Sequence, residues 1–595
     1  MFNYFSKIFS SLGLFSKAYG KYRKTILMLA GFGFLSGILG GVGIGAIIPL
    51  FSFVGAKSGV ADGLITKMFK EAFGFFGVPF TLTFVMLVLV MLFVTKALFL
   101  FTANMVNAKA VARFSSETRN ELLGLTMKAQ WPYLLNRKVG YLAQVISEDV
   151  DLSAGVLVST TIFIIFLTSL ISYAVVALSI SPFITIVTIL IGAILSFLLK
   201  PLFYRIREMV RQETFLKKEA THLVNQHLAG AKTVKSMVVE QPVIQAGKEL
   251  FQGLSWRRFA TLKYQAVPSS FLEPVTLAVV IPIFFFSYRS PGFNIASFAA
   301  VLYLVQKMFS SVQSMQMRLN SINEGIPHLA AVVECQEEAR QYQEESDGLD
   351  SFQFSSAIKF EDVRFSYEGG ERTLDGLNLT IPKGEMVGLI GRSGSGKTTI
   401  ADLLLRLFKT DGGAIRVDEV NINDLNIYAW RKKIGYVSQD MFLLNDTIEN
   451  NIRFYGESIS YKDVEQAAKL AHIYDFIEQR PDKFKTMVGE RGIKLSAGQR
   501  QRVVLARMIA RKPEILVLDE ATSSLDNESE VAIQKSLEDL RGKITMLVIA
   551  HRLSTVMSSD RLLVLEGGKI IEEGEPEQLL ENKDSHFFKM YHAKE

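Results

Sequence analysis

The sequence predicts a multidomain chain: a six-helix, all-α transmembrane domain with long cytoplasmic helical extensions, followed by an α/β domain built around a phosphate-binding loop. Three observations carry this. Apolar residues make up 49% of the 595, and their excess lies almost entirely before residue 325. After residue 358, short apolar strands alternate with helical segments, as α/β folds require. From Cys335 to Ser356 the composition turns acidic and polar, which marks a boundary. The expected domains are 1–24, an N-terminal amphipathic segment; 25–325, the membrane domain; 326–357, a linker; and 358–595, the α/β domain. A mean hydropathy of +0.24 is high for a soluble protein. The single cysteine, Cys335, excludes an internal disulfide framework and suits a reducing compartment. Residues 1–24 are mixed and basic without a small-residue cleavage site, so no cleaved signal peptide is expected.

In residues 1–24, Phe2, Phe5, Phe9 and Phe15 recur at helical intervals among Lys7, Lys17, Lys21 and Arg23. That pattern fits a helix lying on the membrane surface, or one packed on the rest of the protein. Six apolar segments follow, at about 25–54, 80–108, 153–178, 182–203, 264–288 and 294–322. Each reaches the roughly 20 residues that a bilayer-spanning helix needs. Glycines such as Gly37, Gly40, Gly41, Gly43 and Gly45 are tolerated better there than in soluble helices.

Basic residues set the orientation. The second and third spans are joined by a stretch holding Lys109, Arg113, Arg119, Lys128, Arg137 and Lys138. The fourth and fifth are joined by one holding Arg205, Arg207, Arg211, Lys217, Lys218, Lys232, Lys235, Arg257 and Arg258. The opposite loops are mostly short and poor in charge; the first, with Lys57, Lys67 and Lys70, is the exception. Both termini and the α/β domain are therefore expected in the cytoplasm, and the spans in the cell (inner) membrane. The basic loops are long enough for the membrane helices to run on, turn near Trp131 and near Gly230, and return. Three ionisable residues, Lys96, Glu273 and Lys307, interrupt the apolar spans. Such residues usually face a bundle interior or wet cavity, either to handle an anionic or polar head group or structurally, as a pair such as Glu273 with a lysine or as a lysine snorkelling out.

The α/β domain is organised around Gly391-Arg392-Ser393-Gly394-Ser395-Gly396-Lys397-Thr398-Thr399, which fits the P-loop pattern G-x-x-x-x-G-K-[ST]. Its backbone N–H groups would cradle phosphates, Lys397 would reach the β/γ-phosphates, and the Thr398 hydroxyl would hold Mg²⁺. An apolar strand precedes the loop and a helix follows, so the positive end of the helix dipole points at the anion. ATP with Mg²⁺ is the expected ligand. Ile515-Leu516-Val517-Leu518-Asp519-Glu520 reads as a buried parallel strand ending in two carboxylates. Asp519 would hold Mg²⁺ and Glu520 would polarise the water that attacks the γ-phosphate.

With these residues in view, the chain resembles the ATP-binding cassette (ABC) family. Leu495-Ser496-Ala497-Gly498-Gln499 is similar to its signature motif, and Ser523-Ser524-Leu525-Asp526 to its D-loop. The resemblance implies that Ser496, Gly498, Gln499 and Asp526 contact or organise nucleotide. It implies a Q-loop role, in catalysis and on Mg²⁺, for Gln439, and a switch role for His551. Tyr367 is the residue expected to stack on adenine. Val488-Gly489-Glu490-Arg491-Gly492 resembles a loop found in exporters. Two departures are small: Ala497 stands where glycine is usual, and Ser524 where alanine is.

Six spans before one cassette resemble half of a type IV exporter, which implies a dimer with each ATP between the P-loop of one copy and the signature of the other. Both halves are in this chain, so a homodimer is the simplest assembly, with a heterodimer as the alternative. The expected function is ATP-driven export or flipping of an amphipathic substrate among membrane lipids. The layout is similar to that of lipid A flippases, lipid-linked oligosaccharide flippases and multidrug exporters. An ATP-gated channel or regulator is the alternative, against which Glu520 argues. No nucleic-acid partner is expected, since the apolar spans exclude a soluble repair or translation ATPase.

Overall fold

Long helices open the computed structural model, which describes residues 13–55, 64–137, 139–288, 295–367, 369–519, 527–550 and 553–592. The chain divides into two units, Met1–Met127 with Arg137–Gln341, and Lys128–Asn136 with Tyr342–Glu595. The first is helical, with α1 (Arg23–Gly45), α2 (Leu82–Met127), α3 (Val150–Ile180), α4 (Pro182–Ala229), α5 (Glu240–Tyr288) and α6 (Ile295–Gln341). Among the described residues, Gly13–Leu50, Leu82–Met127 and Gly140–Ile180 are long and apolar enough to cross a membrane. At 46 residues, α2 extends roughly 70 Å, more than twice a hydrocarbon core. The excess forms the extension beyond the bilayer. The first apolar segment is two helices rather than one, because α1 stops at Gly45 and Ile47–Gly55 follows. Pro49 explains the break: its ring conflicts with the carbonyl four residues back, at Gly45.

Small residues set the packing of α1 on α3. A Cβ at Gly33 would lie 2.6 Å from Thr168 Oγ1, one at Gly37 2.8 Å from Ser172 Oγ, and one at Gly41 2.7 Å from Val176 Cγ2. Water drives no burial within a bilayer, so close backbone approach has to supply dispersion contacts instead. Residues 13–22 pack on this unit: Tyr19 is buried and donates to Ser153 O at 2.7 Å, and Lys17 pairs with Glu337. Of the two readings of the N-terminal segment, its described part thus takes the packed one. Below the apolar zone, α6 is tied to its neighbours by His328–Asp149, Arg340–Glu121 and Arg137–Glu338. On α4 and α5, Arg258 pairs with Glu213 at 2.7 Å.

The second unit contains two sheets. Strands β1 (Ala357–Ser366), β2 (Arg372–Pro382), β4 (Gly412–Val417) and β5 (Val420–Asn421) make an antiparallel sheet ordered β2-β1-β4-β5. The other sheet holds β3 (Met386–Gly391), β6 (Ile434–Val437), β7 (Ile515–Asp519), β8 (Thr545–Ile549), β9 (Arg561–Glu566) and β10 (Lys569–Gly574), in the order β10-β9-β3-β8-β7-β6. All its pairings are parallel except β10 on β9. Every residue of β3, β7 and β8 is buried, as expected of strands covered on both faces. Helices of this unit include α7 (Lys397–Leu404), α8 (Ile427–Lys432) and α9 (Ala497–Ala510).

The α1–α3 contact makes a direct prediction. Gly37→Leu should destabilise the protein by about 1–3 kcal/mol through overpacking, lowering the thermal unfolding midpoint in detergent. Gly31→Leu should not, because nothing lies within 4 Å of its Cβ position.

Candidate functional site

The phosphate loop joins β3 to α7, at the C-terminal edge of the parallel sheet where such folds bind ligands. The glycines are dictated by geometry. Gly396, at the N-cap of α7, has φ +104°, and a Cβ there would lie 2.8 Å from Leu374. A Cβ at Gly391 would lie 2.3 Å from Leu565 O. Lys397 is buried, and its ammonium donates to Gly391 O at 2.9 Å and Arg392 O at 3.0 Å. Ser395 Oγ is buried without a hydrogen-bond partner among the described residues, an orphan that a phosphate oxygen would satisfy. Arg392, Ser393, Gly394 and Thr398 are exposed, and Thr399 is buried with its hydroxyl 3.1 Å from Tyr367 Oη. That bond holds Tyr367, packed edge-on to Phe365 and Phe408, beside the first turn of α7.

Asp519 ends β7 and is buried, with Tyr436 Oη donating to it at 3.5 Å. A carboxyl not anticipated from the sequence, Asp402, belongs to the same group. Burial, together with the charge of Asp519, pushes the Asp402 carboxyl up to about 6. The signal was present in the sequence, because Asp402 lies one helical turn beyond Thr398 and so on the same face. Two neighbouring carboxyl groups with the exposed Thr398 hydroxyl form an oxygen donor set suited to Mg²⁺. Gln439, after β6, is exposed.

The signature residues start a different helix. Ser496 is the N-cap of α9, its Oγ accepting from Gln499 N at 3.2 Å while Gln499 Oε1 accepts from Ser496 N at 3.0 Å. This capping box fixes the first turn. Gly498 is buried and Ser496 exposed. Near the other end of α9, buried Arg507 donates to Asn451 O and Phe442 O at 2.8 and 2.9 Å, anchoring the segment that follows Gln439. Burial lowers the Arg507 pKa to about 10. Glu520, Asp526 and His551 lie outside the described residues.

Both halves of the chain resemble known proteins. The ABC transporter family model matches residues 374–523, and the ABC transporter transmembrane region model matches 21–316. An ATP-dependent lipid A-core flippase of Desulfotalea psychrophila is 30% identical over 90% of this chain and 93% of its own length. A lipid A-core flippase of Burkholderia thailandensis is 37% identical over 63% of this chain and 64% of its own. The solved structure of a bacterial Atm1-family ABC exporter with ATP bound superposes with TM-score 0.75 at 23% identity, covering 96% of this chain and 98% of that one. The last shares the fold: helical transmembrane domain, then α/β ATPase.

The acid pair makes a pH prediction. The Asp402 carboxyl holds its proton in the folded state between its ordinary 3.8 and about 6, where the unfolded chain has lost it. Its contribution to stability is therefore full below pH 3.8 and is lost as pH rises through about 6. Without Mg²⁺, the unfolding midpoint of Asp402→Asn relative to the parent should rise across this window. A constant difference would remove the acid pair as its cause.

Proposed function

This chain belongs to the ABC transporter family, as an exporter that couples ATP hydrolysis to transport, and we propose that it moves an amphipathic lipid with an anionic head group out of the cytoplasmic side of the inner membrane by alternating access. The observation carrying the substrate class is a pair of lysines within the membrane helices. Lys96 of α2 donates to Tyr173 Oη of α3 at 3.3 Å and lies over the Phe93 and Tyr173 rings. Lys307 of α6 lies over the Tyr303 ring, and its helix neighbours Leu304 and Met308 share a buried cluster with Phe93 and Tyr173. A Cβ at Gly40 would lie 2.6 Å from Lys96 Nζ, so the glycine leaves room for the ammonium. Among the described residues neither lysine has a carboxylate partner; the side chain of Glu273 lies outside them. Aromatic faces offset part of the cost of two cations, and an anionic head group would offset the rest. The lipid named for the flippase relatives supports the same class.

In this reading the loop from Gly391 to Thr399 cradles the ATP phosphates, with Lys397 on the β/γ-phosphates and Tyr367 stacked on adenine. Thr398, Asp519 and Gln439 would hold Mg²⁺, which supplies charge neutralisation when bound. Glu520 orients and polarises the attacking water, and His551 with Gln439 completes the catalytic group. Ser496, Gly498 and Gln499 close on the nucleotide of a second copy, with Asp526 beside them. A homodimer is the simplest assembly, because one chain carries both the phosphate loop before α7 and the signature residues at the start of α9. Each chain thus carries one half of two composite sites.

Two experiments test the proposal. Glu520→Gln should still bind ATP, lose nearly all hydrolysis and accumulate as a closed dimer on size exclusion with ATP; turnover near the parent rate would remove Glu520 from its role. In nanodiscs, ATP turnover of the parent should be stimulated by phosphorylated glycolipids more than by their dephosphorylated forms. Lys96→Ala with Lys307→Ala should abolish that difference and leave basal turnover intact. Equal stimulation of parent and variant would refute the anionic-head-group assignment.

A further inference from the structure

A strap of backbone connects the tip of the first cytoplasmic loop to the chain entering the cassette. Gln130 N donates to Tyr342 O at 2.8 Å and Glu344 N to Lys128 O at 3.0 Å, with Ala129 and Gln343 paired antiparallel. The Tyr133 and Tyr342 rings stack with centroids 5.5 Å apart. All these residues belong to the second unit.

The strap ends at Glu344, and Glu344 is anchored to one residue. Its carboxylate accepts from Arg431 Nη1 at 2.9 Å and Nη2 at 2.8 Å, a bidentate pair with side chains only 12% and 26% exposed. The same guanidinium donates from Nε to Leu405 O at 2.8 Å and from Nη2 to Arg406 O at 2.9 Å. Those carbonyls lie just past the C-terminal end of α7, and Trp430 Nε1 donates to Leu404 O, on its last residue, at 2.7 Å. A cation at this end also complements the helix dipole. By contrast, the neighbouring Lys409–Glu345 pair is 68% and 69% exposed, and pairs of that kind contribute little.

One rigid helix of about 12 Å therefore has the phosphate loop at its N-terminus and Arg431 at its C-terminus. The geometry points to Arg431 and Glu344 as positioning residues that couple the nucleotide state of α7 to the tip of the first cytoplasmic loop. This rests on the coupling of ATP hydrolysis to transport. A charge arriving at one end of α7 displaces the other, and the fork of Arg431 passes that displacement to Glu344 and the strap. Glu344→Gln removes the charged pair while leaving Arg431 on the helix carbonyls. Arg431→Lys keeps the charge but loses the fork.

The test is hydrogen–deuterium exchange of the full chain in nanodiscs, without nucleotide and trapped with ATP, Mg²⁺ and vanadate. In the parent, trapping should slow exchange at 391–399 and change it at least about fivefold at 128–136. Glu344→Gln and Arg431→Lys should keep the first response and lose the second, whereas Lys409→Ala should keep both. A response at 128–136 surviving in both variants would overturn the coupling. So would exchange there rising equally with and without nucleotide, which is what plain bracing produces, or a parent that responds at 391–399 alone. No response at 391–399 in the parent would instead fail the nucleotide site itself, and the coupling with it.

Discussion

Both ends of α7 are constrained by the same electrostatic fact: a helix leaves N–H groups unpaired at one end and carbonyls at the other. At the N-terminal end the chain supplies Gly396, a buried lysine and an orphaned serine hydroxyl rather than a capping side chain. That end is left for an anion. At the C-terminal end nothing is left open, since Trp430 and Arg431 take the carbonyls of Leu404, Leu405 and Arg406. The helix is thus capped at the end away from the phosphates and open at the end toward them. The order of the sheet serves the same purpose, because β8 separates β3 from β7 and so sets the spacing between the loop and Asp519.

The membrane helices follow a different rule. Apolar side chains gain nothing by leaving lipid for one another, so the contact of α1 with α3 depends on what is missing, namely the side chains of Gly33, Gly37 and Gly41. The same stripe carries Gly40, which makes space for Lys96 instead of for a neighbouring helix. A surface chosen for close packing thereby also admits a cation. The charge is accommodated by Tyr173 and two aromatic faces, which stabilise it without neutralising it.

How much of this could be read from the chain depended on the range of the interaction. The phosphate loop and the end of β7 are local patterns, and Gly391, Lys397 and Asp519 occupy the loop, helix start and strand edge that the sequence pattern implied. The break at Gly45 followed from Pro49 and was missed because mean apolarity runs straight through it. Asp402 was missed for a different reason: its place beside Asp519 depends on two elements 117 positions apart meeting, and only its helical phase with Thr398 hinted at it. The partners of Lys96 were beyond reach for the same cause, since α1, α3 and α6 converge on it from distant stretches.

Two arginines show how the cassette separates rigidity from response. Arg507 is almost wholly buried, binds backbone carbonyls, and lies over the Phe454 ring. No carboxylate pairs with it among the described residues, so separating it from those carbonyls would leave a buried charge without hydrogen-bond partners, which keeps its segment in place. Arg431 also binds carbonyls, but it shares its charge with Glu344 at the border of solvent. Hydrogen bonds of this charged kind contribute about 1.5–3 kcal/mol, which matches the 1–3 kcal/mol typical of coupling between sites. An interaction much stronger would hold the strap to α7 in every nucleotide state, and one much weaker would transmit nothing. The depth at which each guanidinium sits therefore decides whether it serves as a fixed anchor or as a link that responds.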